Sequence, residues 1–242
     1  MANLIIDIGN TALKAARAEG MTLGKTVRYQ GEKHIDFILN LVRKERPDVM
    51  VVSCVYDLSK RDEERLGGAC GRLVLLDGSH RELLRRRNIP DWLSADRAAA
   101  VLAARYLFRG RGVLVFDIGT TLTVDCLDAA GNYLGGNISP GLRTRLKALN
   151  RYSRALPRVE IPEETGEWGD STEASISAGV VSGIMFEIEG YIKNNPESTV
   201  VFTGGDAFYF VKKMKNSIFA VCNLVLMGLA LTAGEYAEKT DS

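Results

Sequence analysis

One short pattern constrains this chain more than any other, because it occurs twice. "LIIDIGNT" (4–11) and "VLVFDIGTT" (113–121) each pass from an apolar run into Asp, Ile, Gly, a polar residue and Thr. Each apolar run has the length and composition of a buried strand, and the residues after it read as a turn into a second strand. A single Asp-x-Gly after a strand is a common turn. Here the two aspartates, Asp7 and Asp117, stand 110 positions apart in a chain of 242 residues. That spacing points to two related α/β halves, 1–110 and 111–242, rather than to a short-period solenoid.

The rest of the pattern supports an α/β alternation. In the first half, strands are expected at Leu4–Ile8, Ala12–Ala18, Thr26–Tyr29, Val49–Ser53 and Leu73–Leu76, with helices at His34–Lys44, Ser59–Leu66 and Ala95–Phe108. After the restart, 111–141 reads as three strands joined by turns. Helices follow at 141–155 and 172–193, a strand at 199–205, a helix at Ala207–Met214, a strand near Phe219–Val221 and a last helix at Leu224–Glu238.

An aspartate at a strand tip, followed by glycine and by donors such as Asn10, Thr11 and Lys14, suits a metal–phosphate site. Glycine lets the backbone approach a ligand, and the N–H groups of Gly9, Asn10 and Thr11 are placed to line an anion-binding concavity. A carboxylate repels a polyphosphate unless a cation lies between them, so Asp7 and Asp117 imply cations, Mg²⁺ among them. A third loop, "FTGGDA" (202–207), puts Gly204 and Gly205 between a strand and a helix, where a nucleoside ring has room to approach. No GxxxxGK[ST] loop and no GxGxxG opening a helix occurs, which sets aside the P-loop and dinucleotide-binding classes.

Charge and cysteine usage narrow the partners. The formal net charge of +1 gives no field to attract nucleic acid or an anionic membrane, so neither is expected as a partner. No apolar run approaches the roughly 18 residues of a membrane span, and the first residues do not read as a signal peptide. Cys54, Cys70, Cys126 and Cys222 are scattered, with no CxxC pair. Three of them sit in apolar surroundings and read as buried free thiols, which fits a reducing, cytoplasmic compartment. His34 and His80 lack partner spacing and read as surface residues. The basic run "RELLRRRN" (81–88) reads as a solvated helical face, and Trp92 and Trp168, near loops, as core or interface packing residues unless they flank the pocket.

Two halves with Asp-x-Gly turns and a late Gly-Gly turn resemble the actin-like ATPase and sugar kinase superfamily. The fold this implies is α/β: a duplicated, ribonuclease H-like unit with mixed sheets flanked by helices. Within it, "DIGNTALK" (7–14), "SADR" (94–97), "DIGTTLTVD" (117–125), "GGNISPGL" (135–142), "STEASISAG" (171–179) and "FTGG" (202–205) resemble, in order and spacing, the type III pantothenate kinases. The GG-x-I-x-PGL segment is the most specific of these.

The resemblance implies an ATP-dependent phosphotransferase that acts on the 4′-hydroxyl of pantothenate, the first step towards coenzyme A. It implies ATP contacts from Asp7, Ile8, Gly9, Asn10, Thr11, Ala12, Leu13, Lys14 and Thr120, with Gly204 and Gly205 added from the glycine turn. It implies a monovalent cation, K⁺ or NH₄⁺, on Asp117, and Mg²⁺ that reaches Asp7 through the phosphates. Ser94, Ala95, Asp96, Arg97 and Thr172 would meet pantothenate, with Asp96 as the catalytic base, and the working unit would be a homodimer. Ser94 replaces the glycine usual in that motif, Arg87 stands where a tyrosine is common, and the second turn reads GTT rather than GTA.

The residues alone leave other readings. Asp96–Arg97 also suits a helix start, Ser171 or Thr172 a helix cap, and the Gly135–Gly136 and Pro140–Gly141 pairs plain turns. A non-catalytic regulatory protein on the same scaffold, or a kinase of another small alcohol, are the alternatives.

Overall fold

The computed structural model describes residues 3–238. The chain divides into two compact units: one runs to Leu107 and resumes at Asn223, and the other is Phe108–Cys222.

In the first unit, β1 (Asn3–Ile8) forms an antiparallel hairpin with β2 (Leu13–Glu19), and the short strands β3 (Thr22–Leu23) and β4 (Val27–Tyr29) both pair with β2. On the other side of β1 lie β5 (Val49–Cys54) and β6 (Arg72–Leu76), both parallel, so the sheet order is β3-β2-β1-β5-β6. Alternation along a strand sends successive side chains to opposite faces. Leu4, Ile6 and Ile8 of β1, with Met50, Val52 and Cys54 of β5, pack on one face with Ile38 and Val42 of α1 (His34–Val42) and Leu66 of α2 (Lys60–Gly68). Ser59 caps α2, its Oγ accepting from the Asp62 N–H at 3.1 Å. The basic run 81–88 yields α3 (Glu82–Arg86), whose Leu83 and Leu84 are buried. Asn88, in the left-handed region at φ 51°, ends it, with Ile89 N–H bonded back to Leu84 O.

α4 (Ala95–Leu107) and α8 (Leu224–Glu238) pack on each other, and both reach β5; α8 also lies against β1 and β2. The last helix, expected in the second half, therefore belongs to the first unit, and the boundary falls at Leu107 rather than at 110. The reason is a small-residue contact. A Cβ at Gly228 would lie 1.8 Å from Ala99 O, so the helices meet backbone to backbone through Gly228 and the alanines of α4.

The second unit repeats the plan. β7 (Val113–Ile118) pairs antiparallel with β8 (Thr121–Leu127), which pairs with β9 (Tyr133–Pro140). β10 (Thr199–Thr203) and β11 (Ile218–Ala220) continue the sheet in parallel, giving the order β11-β10-β7-β8-β9. Leu114, Phe116 and Ile118 meet α5 (Leu142–Tyr152), α6 (Thr172–Asn194) and α7 (Ala207–Val211) in one core with Ile184, Ile188, Phe202 and Phe210. Fully burying each of these side chains contributes roughly 1.5–3 kcal/mol. Two of the four cysteines, Cys54 and Cys70, are buried. Cys126 is half-buried and Cys222 exposed, so the expectation of three buried thiols does not hold. No helix among the described residues is long and apolar enough to cross a membrane.

Candidate active site

Asp7 lies at the end of β1, between Lys14 of β2 and Ser53 of β5 in the sheet register. Asp117 lies at the end of β7, between Thr123 of β8 and Thr203 of β10. The duplication seen in sequence is thus a duplication of place. Each carboxylate is half-buried at a strand tip, beside hydroxyl-bearing neighbours on its parallel side.

The first turn is a hairpin corner. Asn10 and Thr11 are exposed at its tip, and Ala12, Leu13 and Lys14 lead into β2. Gly9 N–H is bonded to Ala12 O at 3.2 Å. That corrects one expectation: the Gly9 N–H closes the turn instead of facing an anion.

The second turn is held from outside. Gly119 N–H bonds to Thr121 O at 2.9 Å, and Thr120 O accepts both Gly141 N–H at 3.0 Å and the Thr144 hydroxyl at 2.6 Å. A Cβ at Gly141 would fall 2.0 Å from Gly119 O. The glycine of the PGL segment is therefore required where the start of α5 rests on the turn. That gives the segment a physical meaning beyond turn punctuation.

The Gly-Gly loop closes on the same place. Gly204 has φ +94°, and a Cβ there would lie 2.4 Å from Asp117 Oδ1, 2.5 Å from Ile118 O and 2.6 Å from Ile118 N. Asp206 N–H then bonds to Ile118 O at 2.9 Å. The second unit so brings together Asp117, Thr120, Gly204 and Gly205. Thr123, opposite Asp117 in the register, is buried, and its Oγ1 has no hydrogen-bond partner. Sequence reasoning passed over Thr123, although its alternation with Leu122 and Val124 puts it on the Asp117 face. A carboxylate with hydroxyl and carbonyl oxygens around it is a donor set that fits a hard cation.

Ser94, Ala95, Asp96 and Arg97 are at the start of α4 in the first unit. Ser94 O accepts the Ala98 N–H at 2.9 Å, and Arg97 is buried. Asp96 is half-buried, and its Oδ1 is out of contact with solvent and has no hydrogen-bond partner. A helix-start carboxylate serving only the macrodipole would be solvated or bonded to the first-turn N–H groups. Arg87, at the tyrosine position, is half-buried; its carbonyl accepts from Arg105 Nη1 at 2.6 Å.

Thr172 is in the second unit, at the first residue of α6. Ser171 is the cap, its Oγ accepting Ala174 N–H at 3.2 Å. The exposed Thr172 hydroxyl makes no hydrogen bond of its own and lines a cavity of about 1180 Å³ with Thr144, Arg145, Tyr152, Asp170 and Ser175. Arg145 Nη2 also bonds to Glu187, which accepts from the Ser139 hydroxyl, so the side chain is fixed at the rim.

Two mixed sheets of matching topology, each ending a central strand in Asp-x-Gly, define an actin-like ATPase and sugar kinase fold. Solved structures share it. The activator of the 2-hydroxyisocaproyl-CoA dehydratase from Clostridium difficile, with bound ADPNP, superposes at a TM-score of 0.61 and 14% identity, covering 100% of this chain and 97% of its own. The ROK hexokinase from Thermus thermophilus does so at 0.52 and 16%, covering 98% and 100%. Within that fold the chain belongs to the type III pantothenate kinase family, whose profile matches residues 3–194. A type III pantothenate kinase from Phocaeicola vulgatus is 42% identical over 235 residues, 94% of this chain and 96% of its own.

Proposed function

We propose that this chain is a pantothenate kinase, transferring the γ-phosphate of ATP to the 4′-hydroxyl of pantothenate. The reading is carried by family membership along nearly the whole chain. The matched span contains every site residue named above except Gly204 and Gly205.

In this reading the first turn, from Asp7 to Lys14, meets the phosphates of ATP, with Asp7 facing the Mg²⁺ that the nucleotide brings. Thr120, Gly204 and Gly205 complete the nucleotide side, and Asp117 with Thr123 holds K⁺ or NH₄⁺. Bound cations neutralise charge on the phosphates. Asp96 accepts the proton of the substrate hydroxyl while its oxygen forms a bond to phosphorus and the bond to the ADP oxygen breaks. The Asp96 oxygen without a partner supports this role. Arg97 supports the carboxylate or the substrate, and Thr172 meets pantothenate from a second copy of the chain in a homodimer.

A coupled ATP-consumption assay with Mg²⁺ and K⁺ tests the function: turnover should rise on adding pantothenate, and equal turnover with and without it refutes the assignment. Light scattering at assay concentration should report a dimer; an active monomer would remove that part.

A further inference from the structure

Away from the two turns, a second group of side chains has the chemistry of a metal site. Glu63, Asp77 and His80 each bring a ligand atom within 4.8 Å of the others. Glu63 is on the first turn of α2. Asp77 directly follows β6, and His80 comes three residues later. All three belong to the first unit.

Asp77 is the centre of the group. It is 3% exposed. Its Oδ1 accepts the N–H groups of Ser79 at 2.9 Å and His80 at 3.0 Å, and stands 2.9 Å from His80 Nδ1. Its Oδ2 is equally buried and has no hydrogen-bond partner. A buried carboxylate with one empty oxygen is costly unless something pairs with it.

Among the described residues neither Asp77 nor Glu63 forms an ion pair with a lysine or arginine; the partner of Asp77 is His80. A further acid crowds the same loop instead: a Cβ at Gly78 would lie 2.3 Å from Asp57 Oδ1. Asp57 thus adds a third carboxylate beside the loop, and the nearest fixed positive charge, the Arg81 guanidinium, donates to Gly78 O at 3.1 Å and to neither oxygen of Asp77.

We infer that Glu63, Asp77 and His80 bind a divalent transition-metal ion, with the charge of Asp57 nearby. An imidazole among carboxylates suits Zn²⁺ better than Mg²⁺, which favours an all-oxygen set with several waters. The site is separate from the nucleotide turn. β5 lies between β1 and β6, so Asp7 and Asp77 are two strand spacings apart, about 10 Å. A metal here would tie α2 to the end of β6.

The test is a Zn²⁺ titration by calorimetry on the metal-stripped full chain, with excess Mg²⁺ and without nucleotide, followed by thermal melts. The expected result is one equivalent of Zn²⁺ per chain and a raised melting temperature. His80→Ala and Glu63→Gln should each weaken binding at least about tenfold. Both positions are at least partly exposed, so circular dichroism should show unchanged folding. Cys222→Ser, which removes the exposed thiol, should bind as the parent does. No stoichiometric binding, or binding that neither His80→Ala nor Glu63→Gln weakens, overturns the inference, as does loss of binding on Cys222→Ser alone.

Discussion

Replacing Gly204 by alanine should damage the protein far more than the same change one residue later. At Gly204 the backbone has φ +94°, and the added Cβ would lie 2.4 Å from Asp117 Oδ1, 2.5 Å from Ile118 O and 2.6 Å from Ile118 N. Strained backbone of this kind costs about 1–3 kcal/mol. Two of the three clashing atoms are backbone at the end of β7 and cannot swing aside, so overpacking adds about 1–3 kcal/mol. The sum, about 2–6 kcal/mol, is a large part of an ordinary folding stability of about 5–15 kcal/mol. For a chain of this size it predicts a melting temperature lower by roughly 4–24 °C. At Gly205 an added Cβ meets nothing within 4 Å, and φ is not positive, so Gly205→Ala should stay within about 0.5 kcal/mol of the parent. The assay is a thermal melt by circular dichroism on the parent and both variants, with kinase activity measured over a range of K⁺. If Gly204→Ala melts within 2 °C of Gly205→Ala, the close approach of the loop to Asp117 is not a real constraint and the reasoning fails.

Asp96→Asn keeps the shape of the side chain but cannot take up a proton, so kcat should fall by about 10²–10⁴-fold with ATP affinity little changed; near-normal kcat would exclude Asp96 as the base. Rates should be higher in K⁺ than in Na⁺, and Asp117→Asn should abolish the difference; equal rates in both ions on the parent would remove the cation from Asp117. Burial pushes the Cys54 thiol up to about 11 from its ordinary 9.0, so at pH 8 mass spectrometry should find Cys222 alkylated and Cys54 untouched. Because the folded chain keeps the Cys54 proton longer than the unfolded one, this group's contribution to stability is complete below pH 9 and is lost as pH rises to about 11; alkaline melts of Cys54→Ala should show a shallower loss.

The parts of the fold that could be read in advance are those where pattern and packing coincide. β1 and β7 are covered on both faces, so their apolar runs have only one use, and the Asp-x-Gly after each marks where the strand leaves cover. α4 and α6 were legible for a similar reason, their small and apolar residues recurring at helical spacing. The apolar residues of α8 were equally visible, but an apolar face does not name its partner. Contacts between positions far apart in the chain, Gly228 on Ala99 and α8 against β1 and β5, assign that helix to the first unit. His80 is exposed, as its reading as a surface residue has it, yet it bonds to Asp77 three residues earlier. Glu63 comes near it from another element, across a fold that must form first. The Gly9 N–H was misjudged because a glycine in a turn has two uses, to admit a ligand or to close the corner, and the residue type is the same for both.

The two Asp-x-Gly turns share a sequence but not a scaffold, and the difference bears on what each does. In the first unit β5 simply runs on past β1: Ile8 pairs with Cys54, and Val55 N–H bonds to Ile8 O. In the second unit Thr203 pairs with Asp117, so an unbroken ladder would bring the N–H of residue 205 to Ile118 O, yet the donor is Asp206. One extra residue has been taken up, and Gly204, in the left-handed region, absorbs it by folding over the Asp117 carboxylate. Gly141 and Thr144 hold the carbonyl of Thr120 from the opposite side. The second turn is therefore pinned at both of its carbonyls by elements from elsewhere in the unit. The first has a backbone bond of its own at the tip and the regular sheet bond at Ile8. On the proposal that Asp117 holds a monovalent ion, a ligand whose size must be matched, the fixed carbonyls of the second turn suit it. A triphosphate is long and adjustable, and the freer hairpin with exposed Asn10 and Thr11 suits it. On this view the extra residue at Gly204 is what made the two copies of one turn unequal, and deleting either glycine of the pair should restore the simple ladder and, with it, abolish the K⁺ dependence that the proposed cation on Asp117 predicts.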